Sequence, residues 1–223
     1  MVPAADAEGG WKLGLYLRDG ISGIGTVTFY DPETGLFGAL GHPVNDSETG
    51  VMLPLSEGLI TSATIASVQK GENGAPGELH GCFDVSARLG SILYNTPYGI
   101  FGYFDTAPEG DALETAPENE IRTGPAAILV QVEGSETQEF DVEICRIYRG
   151  GEERLMVRVT DPELLDLTGG IVQGMSGSPI LQNGRLIGAV THVLLSDPTR
   201  GYGVTIDSML RAANAAIQEA EAA

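Results

Sequence analysis

Cysteine is scarce in this chain. Of 223 residues only Cys82 and Cys145 are cysteines, so at most one disulfide is available, and their spacing holds no metal-ligand pattern. They read as buried thiols first and a disulfide second. Histidine is scarcer than chance chemistry would need, with only His42, His80 and His192 to serve as bases. Basic residues are few as well: 12 Lys and Arg face 31 Asp and Glu, a formal net charge of -19. Such a surface repels nucleic acid and anionic lipid, which excludes both as expected partners. No apolar run approaches the roughly 18 residues of a membrane-spanning helix, so membrane insertion by this chain is not expected. No export leader is evident at Met1. No cofactor is expected. What remains is ordinary: 42% apolar and 6% aromatic residues, enough to bury a core.

Residues 1–10 are rich in Ala and Gly and read as a flexible lead-in. From there to residue 104 the chain runs through short β-branched and aromatic stretches, among them Ile24 to Tyr30, Leu36 to Leu40, Gly50 to Leu53, Gly58 to Gln69, Cys82 to Leu89 and Ile100 to Phe104. Turn residues separate them, as at Asp31-Pro32-Glu33-Thr34-Gly35. Residues 105–120 are acidic with two prolines and read as a linker or loop. A second set of strands fills 121–206, with Asn183-Gly184 marking a hairpin between apolar runs. Residues 207–223 place Met209, Leu210, Ala213 and Ile217 near helical spacing and predict a closing helix. Two sets of short strands without alternating helices imply an all-β chain of two barrels or sandwiches, 11–104 and 121–206.

The most informative stretch is Gly174-Met175-Ser176-Gly177-Ser178-Pro179. Glycine on both sides of a serine suits a sharp turn rather than a strand or helix interior. Acyl transfer needs that geometry, because the hydroxyl must project while backbone N–H groups meet the developing oxyanion. The Gly-x-Ser-Gly-x-Pro spacing resembles the nucleophile loop of chymotrypsin-like serine peptidases. Ser178 shares the loop and is the second choice of nucleophile. His42 sits at a strand end before Pro43 and precedes Ser176, the order of histidine and serine in those enzymes. His80 reads as an exposed loop residue. His192 falls in the strand after the Asn-Gly hairpin.

Three motifs narrow the resemblance: 37–42 (Phe-Gly-Ala-Leu-Gly-His), 168–180 around Ser176, and 188–193 (Gly-Ala-Val-Thr-His-Val). Together they resemble the stage IV sporulation protein B serine peptidases, over roughly Lys12 to Leu210. The resemblance implies two chymotrypsin-like β-barrels with a C-terminal α-helix, and either the peptidase part alone or a divergent member of a family that usually carries a membrane anchor and a PDZ domain ahead of it. It implies His42 as base, Ser176 as nucleophile and the N–H groups of Gly174 and Ser176 as oxyanion hole. It implies substrate contacts at Gly170, Gln173, Thr191, His192, Val193 and Gly203. Residues 168–173 carry no charge, so a basic residue before the cut is not expected. The implied substrate is a protein or peptide, a membrane-associated regulator whose cleavage triggers processing of a sigma factor precursor. The implied location is extracytoplasmic, between mother cell and forespore. The competing class is a catalytically silent peptide-binding module on the same fold.

The orienting acid stays open among three residues. The resemblance carries over to Asp161, while chain order in chymotrypsin-like enzymes fits Asp84 or Asp105. Asp161 also has a plain structural reading, since Thr160-Asp161-Pro162-Glu163 has the composition of a helix start with a capping side chain and proline in the first turn.

Overall fold

A computed structural model describes residues 21–149 and 154–222, together with the pairing of β1 (Ala4–Ala5) with β2 (Trp11–Lys12). The lead-in read at 1–10 and the start of the first strand set at 11–20 otherwise lie outside the described residues. From residue 21 the chain forms two antiparallel sheets. The first contains β3 (Val27–Tyr30), β4 (Leu36–Ala39), β5 (Gly58–Gln69), β6 (Glu78–Thr96) and β7 (Gly99–Phe104), in the order β3-β4-β7-β6-β5. Its end strands do not pair with each other, so it curves as a half-barrel. The second contains β8 (Gly124–Val130), β9 (Gln138–Tyr148), β10 (Arg154–Val159), β11 (Pro179–Gln182), β12 (Arg185–Val193) and β13 (Arg200–Thr205), and closes as a six-stranded barrel.

The barrel strands keep period two. Leu155, Val157 and Val159 of β10 are buried and alternate with more exposed neighbours, as do Phe140, Val142 and Ile144 of β9. Each such side chain contributes roughly 1.5–3 kcal/mol on burial, and closure leaves no unpaired edge. Asn183 and Gly184 join β11 to β12 with φ of 54° and 73°, the left-handed pair that a two-residue hairpin needs. The stretch 50–53 forms only a single bridge, Asn45 to Met52, in place of the expected strand. His80 lies within β6, not in a loop, although it is exposed.

Among the described residues there are also two α-helices. The short α1 (Pro162–Thr168) precedes the serine loop, and α2 (Ile206–Glu221) closes the C-terminus. Thr205 caps α2 by accepting from Ser208 N. Met209 and Ala213 of α2 pack on Phe101 and Leu36 of the first sheet and on Ala189 and Val204 of the barrel. The helix therefore ties the two sheets together beneath the site. Both cysteines are free thiols. Contrary to the expected burial, Cys82 is exposed on the long β5–β6 hairpin and Cys145 is half-buried on β9, since neither position faces a core.

Candidate active site

The serine loop is gripped from both sheets. Thr26 N donates to Ser176 O at 2.8 Å, and Thr28 Oγ1 donates to Gly177 O at 2.8 Å. From the barrel side, Gly177 N donates to Val190 O at 2.8 Å. Gly177 has φ 93° and lies so close to Thr26 O that no Cβ would fit; only glycine meets both conditions. Met175 is fully buried in the barrel core and anchors the turn from below. Ser176 is left half-buried, with its Oγ donating to Thr191 O at 2.8 Å. That carbonyl is available because a bulge in the β12–β13 pairing leaves Thr191 without an opposite residue.

The two N–H groups that bracket Met175 matter most for chemistry. Met175 N donates to Val172 O, Gly177 N to Val190 O and Ser178 N to Met175 O. Among the described residues, Gly174 N and Ser176 N donate to no other group. Unengaged donors two residues apart beside a serine hydroxyl are of the kind an oxyanion hole uses. Ser178 is completely buried, and among the described residues its Oγ meets no hydrogen-bond partner. It cannot reach a substrate without the loop opening.

His42 arrives from the first sheet. Leu40 and Gly41 both have positive φ, 67° and 69°, and turn the chain sharply at the end of β4. Leucine is costly in that region, and such strain persists only where surrounding structure imposes it. Gly41 presses against β12 and β13, where a Cβ would stand 2.9 Å from Thr191 Cγ2 and from Val204 Cγ1. This close approach carries His42 onto β12, its ring 4.7 Å from that of His192. His42 Nδ1 lies 2.8 Å from Pro43 O. A carbonyl only accepts, so Nδ1 carries the proton; in the neutral ring Nε2 is then bare and able to take a proton from serine. Burial pulls the His42 pKa below the ordinary histidine value, opposed by the bond to Pro43 O. Burial also lowers the pKa of His192, followed by the charges of His42 and Arg154.

The three carboxylates considered as orienting acid are engaged elsewhere. Asp161 caps α1, its Oδ1 accepting from Glu163 N at 2.8 Å and Leu164 N at 3.1 Å, while Oδ2 accepts from Asp141 N at 3.3 Å. Asp84 accepts from Ser86, and Asp105 pairs with Arg88 at 2.8 Å. The structure brings none of the three into hydrogen bonding with His42. The group at Nδ1 is the Pro43 carbonyl, which sequence reasoning missed because any residue supplies a carbonyl.

Of the expected substrate-contact residues, Gln173, Thr191, His192 and Val193 lie beside the serine loop or on the adjoining end of β12. Gly170 is buried against Pro198, and Gly203 is buried in β13. Gln173 is also pinned by the first sheet: its N donates to Gly77 O and its O accepts from Leu79 N, both at 2.8 Å. Nothing in the sequence marked Gly77 or Leu79 as part of the site.

A half-barrel bringing a histidine to a serine loop on a closed barrel is the arrangement of a chymotrypsin-like serine peptidase. The chain belongs to the SpoIVB peptidase S55 family, whose sequence profile matches residues 9–210. It is therefore a serine endopeptidase, and its substrates are proteins or peptides. No curated protein matches the chain. Among solved structures it is similar to the active form of the Rv3671c protease of M. tuberculosis, at 15% identity and TM-score 0.42, covering 68% of this chain and 80% of that one. It is similar also to the HtrA-type protease AlgW with decapeptide, at 15% identity and TM-score 0.45, covering 79% and 60%. Human heparin binding protein follows at 13% identity and TM-score 0.37, covering 84% and 81%.

Proposed function

We propose that Ser176 is the nucleophile and His42 its general base, with the N–H groups of Gly174 and Ser176 stabilising the oxyanion. The observation that carries this reading is the pair of unengaged donors around a half-buried serine. In catalysis the Ser176 hydroxyl leaves Thr191 O and turns to His42 Nε2, which takes its proton as Oγ attacks the scissile carbonyl. The imidazolium then protonates the leaving amine. Pro43 O holds the ring tautomer, the task an aspartate performs in the usual triad. Asp161, to which the family resemblance points for that task, is engaged instead as a helix cap. Substrate backbone and side chains are met by Gln173, Thr191, His192 and Val193, while Gly170 and Gly203, buried against Pro198 and within β13, shape the site from behind.

The biological reading is cleavage of a membrane-associated regulatory protein outside the cytoplasm, in the space between mother cell and forespore, as a signal for sigma factor processing. Family membership supports it. Labelling by a fluorophosphonate probe tests the chemistry, with Ser176→Ala as the expected null. Complementation of an endospore-forming strain lacking its own family member tests the biology. Restored sigma factor processing by the parent chain, and none by Ser176→Ala, is the expected result; restoration by both would sink it. One observation favours a silent binding module instead, namely that Ser176 Oγ is bonded to Thr191 O rather than to His42. Absence of labelling in the parent chain would select that reading.

A further inference from the structure

In this fold the side chain before the scissile bond enters a pocket beside the nucleophile, and the lining of that pocket sets the size and charge it accepts. By the resemblance to this fold, the stretch 170–173 and the ends of β12 and β13, which do touch each other, are the two walls of that pocket. Gly201 of β13 would leave this space open, but Ile171, which also packs in the barrel core, closes on it. Ile171 is 2% exposed, and its Cδ1 lies only 2.7 Å from where a Cβ on Gly201 would stand.

The walls also touch directly. Ile171 N donates to Pro198 O at 2.8 Å. Gly170 packs so tightly on Pro198 O and Thr199 N that a Cβ there would clash with both. The wall cannot easily swing outward, because Gln173 is held by Gly77 O and Leu79 N, and Val172 Cγ1 lies 2.7 Å from where a Cβ on Gly77 would stand. Residues 168–173 offer no charge to a lysine or arginine.

We propose that Ile171 is the residue that determines specificity, and that the site accepts small uncharged side chains (glycine, alanine, serine) before the cut and rejects aromatic and basic ones. This rests on the serine-peptidase reading of Ser176. A single methylene of misfit is worth roughly 10–200-fold in discrimination, so leucine should already be cut about tenfold more slowly than alanine.

The test uses peptides identical except for alanine, leucine, phenylalanine or lysine at that position. Fluorophosphonate labelling counts intact sites in each protein. The parent should cut after alanine at least about tenfold faster than after leucine, and far more slowly still after phenylalanine or lysine. Ile171→Ala should raise leucine relative to alanine by about tenfold, and Ile171→Val, which keeps most of the packing, by less. Preference of the parent for phenylalanine or lysine overturns the proposal, as does a profile unchanged in both Ile171 variants. A parent that neither labels nor cuts removes the peptidase reading instead. The pocket is then judged by calorimetric titration with peptides ending in alanine or phenylalanine. Tighter binding of the alanine peptide supports it, and equal or weaker binding overturns it.

Discussion

The two sheets of this protein solve the same problem to different degrees. The barrel closes on itself and buries Ile128, Ile144, Leu155, Val157 and Ile180 essentially completely. The half-barrel leaves its end strands unpaired to each other and exposes Leu59, Phe83, Val85, Leu89 and Leu93 along the β5–β6 hairpin, Val85 at 73%. The proposed nucleophile and oxyanion donors, Ser176 and the N–H groups of Gly174 and Ser176, must hold their geometry to well under an ångström, and the barrel offers rigid support for that. The histidine needs only to be delivered to one point. The smaller sheet achieves this with a strained turn at Leu40 and Gly41 pressed onto β12. The lesson is that the site is asymmetric: the barrel holds its shape, and the half-barrel completes it.

The largest effect that would test this asymmetry is kinetic. His42→Ala should lower kcat by about 10⁴-fold or more, as loss of a general base does in serine peptidases, with little change in melting temperature, because the ring is only half-buried. Retention of more than a tenth of the parent rate would remove His42 from the mechanism.

Next in size is the contrast in stability. Leu155→Ala in the barrel should cost about 2–5 kcal/mol through cavity formation. Val85→Ala on the hairpin should stay within about 0.5 kcal/mol. Urea unfolding of the two variants measures both, and equal costs would erase the distinction between the sheets.

Asp161→Ala follows. Loss of the cap should destabilise by about 0.5–2 kcal/mol while largely sparing kcat. A fall in kcat of about 10³–10⁴-fold with unchanged melting temperature would instead place Asp161 among the groups that orient His42.

The smallest effect concerns pH. His42 and His192 both have folded-state pKa values depressed by burial. The folded protein therefore binds fewer protons than the unfolded chain. The resulting stability is fully present above the unfolded histidine pKa of about 6.5 and is lost as pH falls through the depressed folded values. Melting temperature should decline from pH 7 to pH 5, and His192→Gln should reduce that decline. The acid limb of kcat/KM should likewise lie below pH 6.5. A limb at or above the ordinary histidine value would mean that His42 is not held in this environment.

Much of the plan was legible along the chain because it is local. Asn183-Gly184 named its hairpin, apolar and β-branched runs between turn residues named the strands, and the glycines around Ser176 named a turn that presents a hydroxyl. Asp161-Pro162 carried a helix start in its composition, and the structure contains that helix and cap. The motifs around His42 and Ser176 named the family. What the chain could not state were contacts between segments distant in sequence. The group at His42 Nδ1 is a backbone carbonyl, which every residue possesses, so no side chain announced it. The closing of one sheet and the opening of the other depend on how edges meet in space, not on strand composition. Ile171 reads as one more apolar residue before the serine loop. Only the approach of Gly201, 30 positions later, turns it into the filling of a pocket, because a cavity belongs to the packing of several segments and to none of them alone.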